Sequence, residues 1–308
     1  MVTHSSSRAN RAVQPRDKVQ SSNSKTRKKV LIAITAVIAI VYTLFPLYWM
    51  VIASFNPSQT LSTRDLFPQQ ISLQNYRDLF SDPNTPFLTW MSNSLIISLT
   101  TAAISVTLTC MAASPLSRMR FRGRSRLIKG IVLIQIFPNL LAIIAVYLII
   151  IQIGHVLPFM GVNSRESLIL VYLGSVLGGN VWLLKGYLDS IPYELDESAM
   201  IDGASKFQVF TRILLPLMRP MIAVVAILVF IGVYSEIVVA RVLTQENESL
   251  TLAVGLWTLA DAYSIGYGQY RWGMFAAGSL LAALPVVVLF FILQDWIIAG
   301  LTRGAIKT

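Results

Sequence analysis

Six long apolar stretches, at about residues 30–53, 94–114, 131–153, 167–187, 220–241 and 275–297, limit what this chain can fold into. At a rise of about 1.5 Å per residue, each is long enough to cross a hydrocarbon core of roughly 30 Å as a helix. A helix satisfies its own backbone N–H and C=O groups where no water can do so. The composition agrees. Of the 308 residues, 55% are hydrophobic and 13% charged, against about 25% charged in soluble proteins. The expected fold is all-α and integral to the membrane, with six transmembrane helices.

A formal charge of +10 raises the question of nucleic acid, but the distribution of the charge answers it. Eight basic residues precede the first apolar run, and Arg118, Arg120, Arg122, Arg124, Arg126 and Lys129 lie between the second and third. With the N-terminus inside, 20 of the 25 Lys and Arg residues fall on the inner side. That is the bias that sets orientation in membranes. Both termini are therefore expected in the cytoplasm, with the lipid bilayer as the partner of the basic segments and no nucleic acid. Residues 1–29, rich in Ser, Asn, Arg and Lys, are expected to form a disordered tail. The first apolar run is too long for a cleavable signal and stays as an anchor. Outside, Leu73 to Phe80 is amphipathic and suits either a helix on the membrane surface or a cap on the bundle. The aromatic residues Trp257, Tyr263, Tyr267, Tyr270 and Trp272 suit interfacial anchoring.

Reactive chemistry is sparse. The phosphate-cradling pattern G-x-x-x-x-G-K-[ST] does not occur; the nearest fragment, Gly304 to Thr308, has the wrong spacing. The histidines, His4 and His155, stand far apart, and Cys110 is the single cysteine, so no zinc site and no intrachain disulfide is expected. Ionisable residues within the apolar runs are few, chiefly Glu236, with Lys185 and Arg241 near span ends where their stems can snorkel. Glu236 reads either as a packed, hydrogen-bonded acid or as part of a conduit. Gln135, Asn139 and Asn180 suit contact with substrate hydroxyls or hydrogen bonds between helices, and Gly174 and Gly178 suit a close helix contact. The chain is not expected to be an enzyme or to bind a cofactor or metal.

The inner loop at 188–219 is organised differently from the rest. Pro192 and the acids Glu194, Asp196 and Glu197 mark the first turn of a helix. Gly203 suits a left-handed turn that ends it. Ser205, three residues before Gln208, has the spacing of a capping box that starts a second helix, and Pro216 and Pro220 close that helix ahead of the fifth apolar run.

Within this loop stands Glu197-Ser198-Ala199-Met200-Ile201-Asp202-Gly203-Ala204, and the nine residues 204–212 separate Gly203 from Ile213-Leu214-Leu215-Pro216. This resembles the E-A-A-x-x-x-G-x(9)-I-x-L-P signature of permease subunits in bacterial ABC importers that work with a binding protein, with Ser198 for one alanine. Asn93-Ser94-Leu95, Arg120-Phe121-Arg122-Gly123, Trp182 to Tyr187 and Gln294 to Lys307 are similar to the carbohydrate branch, in particular to the smaller maltose-type permease subunit. Tyr234-Ser235-Glu236-Ile237 departs from the Trp-Asn-Glu-Phe usual there.

The resemblance implies an ABC importer type I permease-like bundle over 30–308, multi-pass in the bacterial cytoplasmic membrane. It implies a coupling role for Glu197 to Ala204, Ile213, Leu215 and Pro216. It also implies a second permease subunit as a heterodimer partner, two ATPase subunits that carry ATP and Mg, and an extracytoplasmic sugar-binding protein. The cargo so implied is a disaccharide or oligosaccharide such as maltose or trehalose. From the residues alone, a stand-alone secondary transporter or channel is the other class, though such a protein is expected to concentrate titratable groups at mid-membrane.

Overall fold

The structure is a computed structural model. It describes residues 16–58, 70–136, 139–261 and 270–305, and the side chains of all of these except 16–26, 136, 139–140 and 298–305. Regular structure among the described residues is entirely helical. Contacts divide the chain into two units, 1–52 and 53–308.

The first unit is built on α1 (Arg16–Phe55), which begins within the basic stretch expected to lack order. From Arg27 onward its mean hydropathy reaches 2.5. Its polar side chains do not spoil it as a span: Thr35 and Thr43 donate to the carbonyls of Leu31 and Ala39, one turn back, at 2.9 and 2.8 Å. Hydroxyls that bond their own helix present little polar surface to hydrocarbon.

The second unit is a helical bundle. In chain order it comprises α2 (Gln74–Ser81), α3 (Phe87–Arg118), α4 (Arg124–Ile136), α5 (Ile143–Val156), α6 (Arg165–Asp189), α7 (Glu194–Ile201), α8 (Lys206–Val209), α9 (Leu215–Leu217), α10 (Arg219–Tyr234), α11 (Val238–Leu243), α12 (Leu252–Ala260) and α13 (Trp272–Ala305). At its centre α3 packs against α6 and α10, and α10 against α13. The packed face of α3 carries Ser94, Ser98, Thr101, Ser105 and Thr109, all buried and three or four residues apart. Small side chains at this helical spacing let backbones approach closely where the lipid itself supplies no hydrophobic drive between helices.

Among the described residues, four helices are long and apolar enough to cross a membrane: Arg27–Phe55, Phe87–Arg118, Arg165–Asp189 and Trp272–Ile297. The pair Lys206–Leu217 and Arg219–Tyr234, bent by 71°, adds a fifth if taken as one span. Two of the six expected stretches are not single helices. The stretch 131–153 is not one helix, because α4 ends at Ile136 and a short turn, Asn139–Ala142, precedes α5. Pro138 stands at this point of the sequence; it has no N–H to donate and disfavours helix in the residue before it. The stretch 220–241 is interrupted after Tyr234, and helix resumes at Val238.

α2 takes the role of a cap. Leu79 is fully buried in the bundle core, Phe80 meets Phe87 edge-on with ring centroids 5.5 Å apart, and Asn75 donates to the carbonyls of Ser54 and Asn56 at 2.9 and 2.8 Å. Beside it Asp82 is ion-paired with Arg271 and accepts from the N–H of Asn84 at 2.9 Å. Burial opposes ionisation of Asp82, but the hydrogen bond from Arg271, the Asn84 N–H and the guanidinium charge outweigh it and hold the carboxyl below its ordinary value. A depressed folded-state value means that this contribution to stability is complete above the ordinary carboxylate value of about 3.9 and is lost as pH falls through the depressed one. Asp82→Asn is therefore expected to lower the melting temperature of detergent-solubilised protein at pH 7, with the difference from wild type closing as the pH drops below that range.

Candidate functional site

The loop singled out by the sequence folds as a helical hairpin. In α7 the acids Glu194, Asp196 and Glu197 occupy the first turn, where the free N–H groups favour negative charge. The helix ends in a Schellman turn: Ala204 N–H reaches Ala199 O at 2.9 Å, Gly203 N–H reaches Met200 O at 3.1 Å, and Gly203 has φ +85°. Ser205 then accepts from the N–H of Gln208 at 3.3 Å while the Gln208 side chain accepts from the N–H of Ser205 at 2.8 Å, a complete capping box. Beyond α8 the helix widens to a π turn at Phe210–Leu214, immediately before Pro216.

Two surfaces of this hairpin differ in kind. Its foot is packed: Val209, Leu214 and Met218 are buried with Leu184, Leu188 and Ile191, and Ala199, Ala204 and Leu215 lie against them. Its tip is open: Ile201 is 86% exposed and Phe207 74%, with Met200, Glu197, Ser198 and Asp202 also exposed. Large apolar side chains thus stand open at the end of a hairpin whose bend is set by the Gly203 turn and the Ser205–Gln208 box. Sequence reasoning passed over Phe207. Its signal was an aromatic residue in the first turn after a capping box, on the face that Val209 does not use.

Asp196 turns away from the tip. It pairs with Arg118 at the end of α3, Nε to Oδ2 3.1 Å, and both side chains are almost wholly enclosed. Burial pushes the Asp196 carboxyl above its ordinary value, the Arg118 charge opposes this, and neighbouring Glu197 adds to it.

A second feature lies higher in the bundle. Gln135 of α4 and Asn180 of α6 line a cavity of about 500 Å³ with Gly174, Ser175, Gly178 and Gly179, within the roughly 300–1,000 Å³ typical of small-molecule sites. Asn180 Nδ2 lies 3.4 Å from Ser105 Oγ, and Gln135 Nε2 lies 3.4 Å from Ile131 O. Of the two glycines expected at a close helix contact, Gly178 makes one: a methyl group there would come within 3.2 Å of the Gln135 amide and 3.5 Å of Ile131 Cγ2, both on α4. At Gly174 the expectation is corrected, since a methyl group would meet nothing within 4 Å and the residue borders the cavity. The side chain of Asn139 lies outside the described residues.

Glu236 is not among the residues lining this cavity. It accepts from Tyr172 Oη at 2.7 Å and from the N–H groups of Val239 and Ala240 at 2.8 and 3.0 Å. It thereby ties the start of α11 to α6. Lys185 pairs with Asp189, and Arg241 stacks over Trp257 with 3.4 Å from guanidinium carbon to ring centroid, so both have protein partners. Tyr263 and Tyr267 lie outside the described residues.

Residues 105–303, which contain the whole hairpin, the cavity and Glu236, match the family described as binding-protein-dependent transport system inner membrane component. The chain belongs to this family. The maltose/maltodextrin transport system permease protein MalG of Photorhabdus laumondii is 37% identical over 275 residues, covering 86% of this chain and 90% of that protein. The galactooligosaccharides transport system permease protein GanQ of Bacillus subtilis is 39% identical over 280 residues, covering 90% and 94%. The fold is shared with the crystal structure of a bacterial ABC transporter involved in the import of the acidic polysaccharide alginate, at a TM-score of 0.70 and 20% identity, over 88% of this chain and 97% of that one. For this inner membrane component the hairpin and the cavity are the two features that need a functional account. One exposes apolar side chains that no described residue covers, and the other is a space among helices to which two amides contribute.

Proposed function

We propose that this chain is the membrane-spanning permease subunit of an ATP-driven importer for a neutral oligosaccharide of the maltodextrin or galactooligosaccharide kind. It performs no catalysis itself. Two ATPase subunits carry ATP and Mg, and they receive the hairpin from Glu197 to Pro216. A second permease subunit completes the pathway, an extracytoplasmic binding protein delivers the sugar, and both termini face the cytoplasm. Nucleotide-driven closure of the ATPases moves the hairpin and shifts the bundle between inward- and outward-open forms.

The observation that carries this reading is the hairpin tip: Ile201, Phe207 and Met200 exposed on a bend fixed by the Gly203 turn and the Ser205–Gln208 box. The sugar class is supported by relatives named for maltose, maltodextrin and galactooligosaccharide transport. The cavity fits it, because Gln135, Asn180 and Ser175 offer neutral donors and acceptors, the groups that match hydroxyls. Gln135 and Asn180 are assigned to the substrate pathway, as is Asn139, four residues after Gln135 in sequence. Glu236 is assigned to bracing the pathway wall.

The test exploits Cys110, which is buried. Ile201→Cys supplies an accessible thiol at the tip, and a short bifunctional crosslinker in intact membranes is expected to capture an ATP-hydrolysing subunit. Cells lacking the chain are expected to lose uptake of labelled maltodextrin or galactooligosaccharide, and vesicles holding only this chain are expected to accumulate neither. Failure to capture an ATPase, or accumulation by the chain alone, would falsify the importer reading.

A further inference from the structure

Two arms hold the hairpin to the bundle, and they differ in the balance of apolar and polar contact. The second arm is held mainly by apolar packing around Val209, Leu214 and Met218, with one hydrogen bond, from Tyr187 Oη to Leu217 O at 3.2 Å. Such packing is non-directional and tolerates sliding. The first arm is held by directional contacts that converge on the last turn of α3. Arg118 Nε lies 3.1 Å from Asp196 Oδ2, with side-chain exposures of 7% and 10%. The Arg118 guanidinium also sits over the Tyr193 ring, 4.3 Å from its centroid, and Nη2 donates to Ile191 O at 2.9 Å. Tyr193 Oη returns a hydrogen bond to Ser117 O at 2.7 Å, while Ser117 Oγ donates to Asp189 Oδ1 at 2.6 Å. The last turn of α3 is thereby fixed at once to the end of α6 and to both the entry and the first turn of α7.

Apolar residues would pack the foot of a hairpin at less cost, since a buried ion pair repays its desolvation only in good geometry. This pair is also incompletely used. Arg118 Nε and Nη1 and Asp196 Oδ1 are buried and make no hydrogen bond, so Nε meets Oδ2 as an ion pair at 3.1 Å and not through an aligned bond. A guanidinium and a carboxylate can engage through two parallel bonds, a geometry that this pair leaves unused.

We propose that Arg118, Asp196 and Tyr193 form the joint through which movement of the cytoplasmic hairpin is passed to α3, and so to the α3–α6–α10 core. They are positioning residues, acting neither on ATP nor on sugar. The proposal rests on the coupling reading above but concerns a different part of the hairpin. The exposed tip binds the motor, and the buried joint transmits its displacement.

The experiment uses the complete importer reconstituted in proteoliposomes, with ATP hydrolysis and uptake of labelled maltodextrin measured together. Arg118→Met combined with Asp196→Leu removes both buried charges without stranding either. Tyr193→Leu removes the ring and its hydroxyl from a half-exposed position. Both variants are expected to retain the ATPase on copurification and to hydrolyse ATP. Sugar carried per ATP is expected to fall at least tenfold in the double variant and severalfold in Tyr193→Leu. A wild-type ratio in either overturns the proposal, because a joint that only stabilises the fold would not change that ratio. Should the double variant not reach the membrane, Tyr193→Leu decides alone. Wild-type chain that fails to hold an ATPase sinks the coupling reading instead, and is recognised before any variant is made.

Discussion

Proline in place of Gly203 is expected to abolish sugar uptake and sugar-stimulated ATP hydrolysis while leaving the amount of chain in the membrane unchanged. Gly203 has φ +85°, which a pyrrolidine ring locked near −65° cannot reach, and its N–H, bonded to Met200 O at 3.1 Å, would be lost. The Schellman turn that stops α7 and aims Ile201 outward then has no substitute. A penalty of about 3 kcal/mol or more on the docking-competent bend reduces its population by a factor on the order of a hundred. Gly203→Ala is the graded control. A methyl group there meets nothing within 4 Å, so the only cost is the left-handed backbone itself, about 1–2 kcal/mol, and uptake is expected to fall about tenfold. The measurement is initial uptake of labelled maltodextrin, normalised to chain in the membrane fraction. Unimpaired uptake in the proline variant would mean that the bend is not what the ATPase engages. The apolar spans do not depend on this turn, and for that reason insertion is expected to survive.

What the sequence made legible follows the range of the forces involved. Gly203, the Ser205–Gln208 box and the acids of the α7 first turn act within one helical turn, so their spacing alone is informative, and the structure places each of them as read. The apolar runs report burial or lipid contact but not continuity. Two of them are not single helices: the short turn Asn139–Ala142 precedes α5, and residues 235–237 separate α10 from α11. Tertiary pairings were not legible. Nothing in the local pattern says that Arg118 will meet Asp196, that Tyr172 will take up Glu236, or that Arg241 will find Trp257. Arg118 and Asp196 each had a sufficient local explanation, as an inner-side charge and a helix-start acid, which concealed their partnership. Gly174 and Gly178 share one sequence pattern but not one environment: Gly178 lies against Gln135 and Ile131 of α4 while Gly174 borders open space, and spacing alone does not tell the two apart. Phe207 was missed for a related reason: an exposed aromatic has no periodic signature, and its meaning depends on the hairpin having already folded.

The second large effect is expected at Gly255, where leucine should cost about 3 kcal/mol or more by overpacking and lower the melting temperature of the solubilised protein by roughly 5–10 °C. A Cβ at Gly255 would lie 2.3 Å from Cδ2 and Cε3 of Trp90, a distance no pair of carbons tolerates without displacement. The indole cannot retreat easily. It is fully buried, planar and rigid, and its Nε1 is anchored to Asn247 O at 2.7 Å. Neighbouring bonds hold the same region: Asn93 Nδ2 donates to the carbonyls of Glu248 and Leu250 at 2.9 and 2.8 Å, and Leu252 N–H donates to Ser94 Oγ at 2.7 Å. Moving the ring therefore pulls on the whole attachment of the 247–252 segment to the start of α3. Trp90→Leu introduced with Gly255→Ala provides the check. Removing the ring opens the space that the added methyl needs, so the pair is expected to be more stable than the sum of its single changes, whereas strictly additive losses would show that ring and glycine do not share a contact. Because Trp90 belongs to the core cluster and the hairpin foot to a separate one, the melting loss is expected to leave sugar carried per ATP unchanged in whatever protein remains folded. That is the opposite of the pattern expected at Gly203, where stability in the membrane persists and transport is lost.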